Sequence, residues 1–462
     1  MKSKNYILCL LSLLVMTAVS CKKGFLDAKP SSTILQPQTL DDFQSLLENN
    51  NITYSPALPT LAGDEYVYIS YPIWQSARTA TERNSYVWAV NLFNGETSGG
   101  DWSIPYQAIF YSNNVLAGLD KFQSEGNDLS RIKFIKGWAL FARAFAYFEL
   151  VNNFSTAYDP STANADLGVP IKLNPSVDDI QPRSSVQHTY DQILSDLNAA
   201  TPLLSATLPL NNREQPSQIA VHALLARVYL NMRKYDLAES QADSTLHLYN
   251  TLIDYNAVST TSIQPFLKTN DELIFYKSAN TSYASATVFH NSYTRVNPAL
   301  INLYDHNDLR LQIFYSLQPD SSNIMKVQYD GLTTLYPFTG LATDEVYLIK
   351  AECAARRNDV GTAMTYLNDL LINRYSTNTF TSVTASTSTD ALNKILIERR
   401  KELVWRNLRW YDIKRLNKEG DNIILTRLLN GQIYTLPPND PRDVFPIPDN
   451  EISSSGIQQN VR

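Results

Sequence analysis

The feature that most constrains this chain is a pair of alanines that occurs twice. In 219–248, Ala226 precedes Ala238 by twelve residues, and in 345–371, Ala351 precedes Ala363 by the same interval. Leu225, Tyr229 and Ala242 extend the apolar pattern around the first pair at helical spacing; in the second copy Ala354 stands where Tyr229 would be expected. Twelve residues let one helix end, turn and bring a second helix back. An alanine at each crossing lets the two backbones approach closely. A chain with two such segments is committed to antiparallel helix pairs.

Those pairs are of the tetratricopeptide type, and other segments extend the scaffold. Thr39, with Asp42 three residues on, reads as a capping box, followed by a stripe of Leu40, Phe43, Leu46 and Leu47. Over 130–151, Phe134, Phe141 and Phe148 recur every seven residues beside Ile135, Trp138, Ala142 and Phe145. Two adjacent apolar stripes predict a helix buried on most of its circumference. Ser184, with Gln187 as its capping partner, predicts the start of another helix, whose Val186, Tyr190, Ile193 and Leu197 face inward. Two stretches, about 50–100 and 257–340, have no helical period and are rich in Tyr and Asn. The expected fold is all-α: one tetratricopeptide-like helical-repeat domain over 39–462 carrying long, irregular, aromatic-rich loops. Binding usually sits on such loops.

The first twenty residues fall outside that domain. Lys2 and Lys4 precede a thirteen-residue apolar run, Tyr6 to Ala18, too short to span a membrane. The run ends in Ala18-Val19-Ser20-Cys21, which reads as a lipoprotein signal peptide over 1–20 with Cys21 as the lipidated residue. Residues 21–38, with Pro30 and Pro37, read as an extended tether. Removing 1–20 takes away two lysines and no acid, so a net charge of −6 becomes −8. A nucleic acid is thereby excluded as a partner held by bulk attraction.

Catalytic patterns are scarce. The histidines at 188, 222, 247, 290 and 306 show no metal-ligand spacing. There is no phosphate-cradling Gly-x-x-x-x-Gly-Lys and no Gly-x-Ser-x-Gly elbow. The adjacent acids Asp64-Glu65, Asp178-Asp179 and Asp344-Glu345 would diverge on a helix or a strand. Cys353, the one cysteine left in the mature domain, reads as a small buried thiol. No enzyme activity, cofactor or metal is expected. The chain's one basic cluster, Arg399, Arg400, Lys401, Arg406, Arg409, Lys414 and Arg415, is interleaved with Glu398, Glu402 and Asp412. With Trp405, Leu408, Trp410 and Tyr411 among the charges, it reads as a helix docked by its aromatics with paired charges at its rim.

Many short segments together resemble one family, the SusD/RagB lipoproteins of Bacteroidetes nutrient-uptake systems. They begin with Cys21 and Phe25-Leu26-Asp27 and continue in Lys136-Gly137-Trp138-Ala139-Leu140-Phe141-Ala142-Arg143-Ala144-Phe145-Ala146-Tyr147-Phe148. Leu167-Gly168-Val169-Pro170, Pro182-Arg183-Ser184-Ser185-Val186 and Tyr190-Asp191-Gln192-Ile193-Leu194 follow. Toward the C-terminus come Glu345-Val346-Tyr347-Leu348, Glu398-Arg399-Arg400-Lys401-Glu402-Leu403, Arg409-Trp410-Tyr411-Asp412 and Phe445-Pro446-Ile447-Pro448. The resemblance implies a lipid anchor in the outer membrane, facing the exterior. It also implies a role as the lid of a TonB-dependent, SusC-like transporter, with an oligosaccharide or, less often, a peptide as ligand. A tetratricopeptide adaptor for protein partners is the remaining alternative.

Sugar rings stack their C–H faces on aromatic side chains, while their hydroxyls need carboxylates, amides or guanidinium groups nearby. Two clusters in the loops have that mix: Asp64, Tyr71, Trp74 and Arg78, and Asn280, Tyr283, Asn291, Tyr293 and Arg295. The expected ligand contacts are Asp64, Tyr71, Trp74, Arg78, Tyr283 and Tyr293, with Trp74 as the stacking platform. Trp88 and Trp102 are assigned to packing.

Overall fold

The computed structural model describes residues 37–462 apart from 98–99, 123–128, 177, 268, 290–291, 327–328 and 332–335. The signal peptide, Cys21, nearly all of the tether, and His290 and Asn291 therefore lie outside the described residues. Residues 39–462 form one compact unit.

The two alanine repeats are helix pairs. Gln218–Asn231 pairs with Tyr235–Leu248, and Thr343–Arg356 with Val360–Leu371. All four alanines are fully buried. The likeness extends into the turns. Arg233 and Asn358, each seven residues after its first alanine, adopt left-handed backbone at φ 58° and 69°. Just beyond them Lys234 N–H donates to the Tyr229 carbonyl, and Asp359 N–H to the Ala354 carbonyl, both at 2.9 Å. Both closing bonds use a backbone oxygen, so replacing Tyr229 by its counterpart Ala354 leaves the turn unchanged.

Ser103–Lys121, Leu129–Phe154 and Val186–Ala200 add three helices, each packed on the next. In Leu129–Phe154 every residue from Gly137 onward is buried. Its Arg143 is accommodated there by a two-pronged bond to Asp196 at 2.7 and 2.8 Å. The capping box at Thr39 and Asp42 is present as expected. The helix expected to start at Ser184 is capped one residue later: Ser185 Oγ accepts from His188 N–H, while Ser184 Oγ donates to the Val169 carbonyl from a short strand. No described helix is long and apolar enough to cross a membrane.

The scaffold is mostly helical, and its loops hold more local structure than the sequence suggests. Residues 50–100 contain the short helices Asn50–Thr53, Leu58–Ala62, Tyr71–Gln75 and Ala80–Tyr86. Each is too short to display a period of 3.6 residues. Two-stranded ribbons stitch the two irregular stretches together. Tyr54–Ser55 runs parallel to Ser278–Ala279, and Tyr66–Tyr68 antiparallel to Thr294–Val296, with Tyr66 opposite Val296 and Tyr68 opposite Thr294.

The basic cluster differs from its expected form. It spans two helices, Ser388–Glu402 and Leu408–Asn417, broken where Trp405 and Asn407 turn left-handed at φ 61° and 62°. Most of its charges are buried rather than at a rim; Arg399, Lys401 and Arg415 are only 1–2% exposed, while Arg400 and Arg409 are half-buried. Burial is possible because the arginines and Lys401 meet opposite charges, while Lys414 donates to the carbonyls of Asn152 and Ser155. Arg415 holds Glu352 at 2.6 and 2.8 Å and Asp412 at 2.8 Å, and Arg399 holds Asp412 at 2.8 Å. Arg406 takes Asp344, Arg374 takes Glu272 and Glu402, and Arg310 takes Asp308, Glu398 and Glu402.

Burial alone would raise the Glu352 carboxyl, but Arg415 and Arg356 outweigh it and hold it at about 2 against an ordinary 4.5. A carboxyl so depressed stabilises the fold above its unfolded pKa and loses that contribution as pH falls through its folded pKa. Glu352→Gln should therefore cost about 3–5 kcal/mol at neutral pH, measured by chemical denaturation. The gap to wild type should narrow as the pH falls from about 4.5 toward 2. A gap that does not change with pH would contradict this account.

Candidate ligand-binding surface

The ribbon between Tyr66–Tyr68 and Thr294–Val296 brings the end of the first loop cluster to Tyr293 of the second. Just past it, Ile69 N–H donates to the Tyr293 carbonyl at 3.1 Å. Ser70 then caps the short helix Tyr71–Gln75, with Pro72 in its first turn. None of that helix's residues is buried. On it the rings of Tyr71 and Trp74 stack, with centroids 5.4 Å apart and planes 27° from parallel. Trp74 Nε1 donates to the Arg83 carbonyl and Gln75 Nε2 to the Tyr71 hydroxyl, both at 3.1 Å, which fixes each ring in place.

Arg78 follows, its side chain exposed and its backbone N–H donating to Ser285 Oγ at 3.0 Å. Tyr293 is half-buried at the end of the ribbon. One further aromatic joins them. Tyr336 is half-buried, donates its hydroxyl to the Thr281 carbonyl at 3.2 Å, and lies close enough to Arg78 to feel its charge. Nothing in the local sequence marks Tyr336, since only the folded chain brings it to Arg78. Trp88 and Trp102 are buried, as packing residues should be.

Two expected contact residues face inward instead. Tyr283 is 1% exposed, and its hydroxyl donates to Asp101 Oδ2 at 2.6 Å. Asp101 also accepts the backbone N–H groups of Ala57 and Leu58, so this pair closes the loop from beneath. Asp64 is held by Arg409 at 2.8 and 3.0 Å and by Arg400 at 2.9 Å. Burial would raise its carboxyl, but those guanidinium groups outweigh it and hold it well below the usual carboxylate range. Its acceptor sites serve the protein. Asp64 positions the loop and offers little to a ligand.

The loop has two more anchors. Glu65 is 2% exposed and accepts the backbone N–H of Trp405 at 2.9 Å; burial pushes its carboxyl up to about 7. Arg427, on the hairpin of Leu425–Leu429 and Gln432–Leu436, donates to the carbonyls of Tyr66 and Gly63. Its guanidinium lies 4.3 Å from the Tyr86 ring centroid. Among the described residues, Glu272, Asp344 and Glu402 bring carboxylate oxygens within 4.8 Å of one another. Arg374, Arg406 and Arg310 answer those charges, so the group is part of the buried ion-pair lattice.

A family model described as starch-binding and associating with the outer membrane matches residues 24–230, and the SusD family model matches residues 343–462. The chain belongs to the SusD/RagB family. It is similar to a solved SusD superfamily protein from Bacteroides thetaiotaomicron, 24% identical, with a TM-score of 0.74 over 92% of this chain and 100% of that one. A SusD-like carbohydrate binding protein from Bacteroides vulgatus is 22% identical, with a TM-score of 0.66 over 91% and 97% of the two chains. A laminarin binding SusD-like protein is 18% identical, with a TM-score of 0.66 over 91% and 98%. No curated protein matches the chain. SusD family proteins bind their ligands and do not transform them, and this chain shares their mostly helical fold.

Proposed function

We propose that this SusD/RagB protein is a surface lipoprotein that binds oligosaccharides and delivers them to a TonB-dependent, SusC-like transporter in the outer membrane. The observation that carries the ligand class is the stacked, half-buried pair of Tyr71 and Trp74 beside the exposed Arg78. A stacked pair of rings that is only half-buried offers an apolar ring surface of the kind a pyranose needs, and a guanidinium supplies donors for its hydroxyls. The ligand is neutral or weakly polar. A mature charge of −8 gives polyanions no bulk attraction, and the arginines of the basic cluster are consumed in buried ion pairs.

Stacking on a ring is worth about 1–3 kcal/mol, by analogy with bases on aromatic side chains. Two or three rings, less the entropy of ordering a flexible chain, give a Kd of roughly micromolar to millimolar. Such weak binding suits a lid that must release its cargo inward. The anchor is Cys21. Cys21→Ala should abolish incorporation of labelled palmitate and release the protein from the outer membrane; persistent label would contradict the anchor.

Trp74→Ala should weaken glycan binding at least about tenfold, or about 1.4 kcal/mol, with little change in melting temperature. The tolerance is expected because the short helix that carries Trp74 buries no residue. Unfolding on that substitution would make Trp74 a packing residue. Binding of peptides and of no glycan by the wild-type protein would overturn the ligand class.

A further inference from the structure

Asp64 and its two arginines hold the platform segment at its upstream end. At its downstream end the segment meets the second irregular stretch, and one carboxylate joins the two. Thr79 starts the helix Ala80–Tyr86 with a capping box: Thr79 Oγ1 accepts from Glu82 N–H, and Glu82 Oε2 accepts from Thr79 N–H, both at 3.0 Å. That exchange occupies one oxygen of Glu82, and a helix start requires no more of it. The other oxygen serves a distant loop. Glu82 Oε1 accepts the backbone N–H of Ser285, 203 residues further on, at 2.7 Å. Ser285 Oγ in turn accepts the backbone N–H of Arg78 at 3.0 Å. The two loops therefore grip each other twice, once in each direction. Glu82 and Ser285 are both completely buried.

Groups of the proposed ligand surface lie on both sides of this clamp. On one side, Trp74 Nε1 donates to the carbonyl of Arg83, the residue after Glu82, and the Arg83 guanidinium returns to the Ala77 carbonyl. The indole thus takes its orientation from the helix that Glu82 caps, and Arg78 takes its place from Ser285. On the other side, Tyr336 donates its hydroxyl to the carbonyl of Thr281, four residues before Ser285. The first side cannot hold this arrangement unaided, since Tyr71–Gln75 buries no residue and Arg78 is exposed. A carboxylate, with two acceptor oxygens and no donor, can receive an N–H from each loop at once. We propose that, on the reading of Tyr71–Trp74 as the ligand site, Glu82 is its positioning residue: it fixes Trp74 and Arg78 relative to Tyr336.

Glu82→Gln keeps the side chain's shape but has one acceptor oxygen, so it can serve Thr79 or Ser285 and not both. Ser285→Ala removes the acceptor for Arg78 and is the smaller change, which keeps the test open where the Gln variant does not fold. Glu96→Ala is the control. Glu96 is exposed and accepts the N–H groups of Ala80 and Thr81, so its loss weakens the same helix start and leaves the clamp intact. The first readout is fluorine NMR of the full mature protein labelled with fluorotryptophan, the Trp74 signal being the one lost in Trp74→Phe. In Glu82→Gln and Ser285→Ala that signal should shift or broaden while those of Trp138 and Trp410 stay in place; in Glu96→Ala all should stay. The second readout is affinity for the glycan that the wild type binds best on a glycan array. It should fall at least about tenfold in the first two variants and not in the control. An unmoved Trp74 signal or an unchanged affinity in the folded Glu82→Gln and Ser285→Ala variants would overturn the proposal. Equal effects in Glu96→Ala would also overturn it, by making Glu82 a helix cap only. A wild type that binds no glycan overturns the ligand reading instead, and the fluorine signal, which needs no ligand, tells the two failures apart.

Discussion

The structure depends on a lattice of buried ion pairs in its C-terminal half. Arg310, Arg374, Arg399, Arg406 and Arg415 are all 5% exposed or less, and each holds one or more carboxylates. Taking a charge out of water costs several kcal/mol, recovered only when the partner geometry is good and the remaining donors are occupied. The lattice gains by sharing acids: Glu402 serves both Arg310 and Arg374, and Asp412 serves both Arg399 and Arg415. Such an arrangement contributes little stability over apolar packing, but it tolerates only one register of the helices that supply it. Its main product is position.

Position is what the proposed binding surface needs. The platform helix Tyr71–Gln75 buries none of its residues and cannot place itself. It is placed from the same basic segment and the hairpin after it: Arg400 and Arg409 hold Asp64, the Trp405 N–H holds Glu65, and Arg427 of the hairpin holds the carbonyls of Gly63 and Tyr66. From there the ribbon to Thr294–Val296 carries the chain to Ser70 and the stacked rings. The charged segment thus bears on the proposed binding surface at one remove, through the loop it fixes. The rings can then remain half-exposed without being loose.

The helical scaffold was legible because its signals are local. Two alanines twelve residues apart, or a threonine three residues before an aspartate, state their geometry within a dozen residues. The error at Ser184 was also local, since Ser184 and Ser185 both offer a hydroxyl and only the backbone angles choose between them. The burial of two expected contact residues was not legible, for the opposite reason. Tyr283 and Tyr293 share composition and neighbourhood; what buries the first is Asp101, 182 residues upstream. Asp64 looked available because its partner Arg409 is 345 residues away. The burial of the basic cluster was hidden in the same way, as Arg406 and Arg415 find their acids 62 and 63 residues back. Pairings at such separation leave no periodic trace in a single sequence.

The central claim is that the Asp64 ion triad holds the aromatic platform in place. Hydrogen exchange in Asp64→Asn tests it most directly. If the claim holds, the amides of Tyr66–Tyr68 and Tyr71–Gln75 exchange at least about tenfold faster than in wild type, while those of Leu129–Phe154 stay as protected as before. Unchanged protection across the platform, or an equal loss along the whole chain, would contradict it.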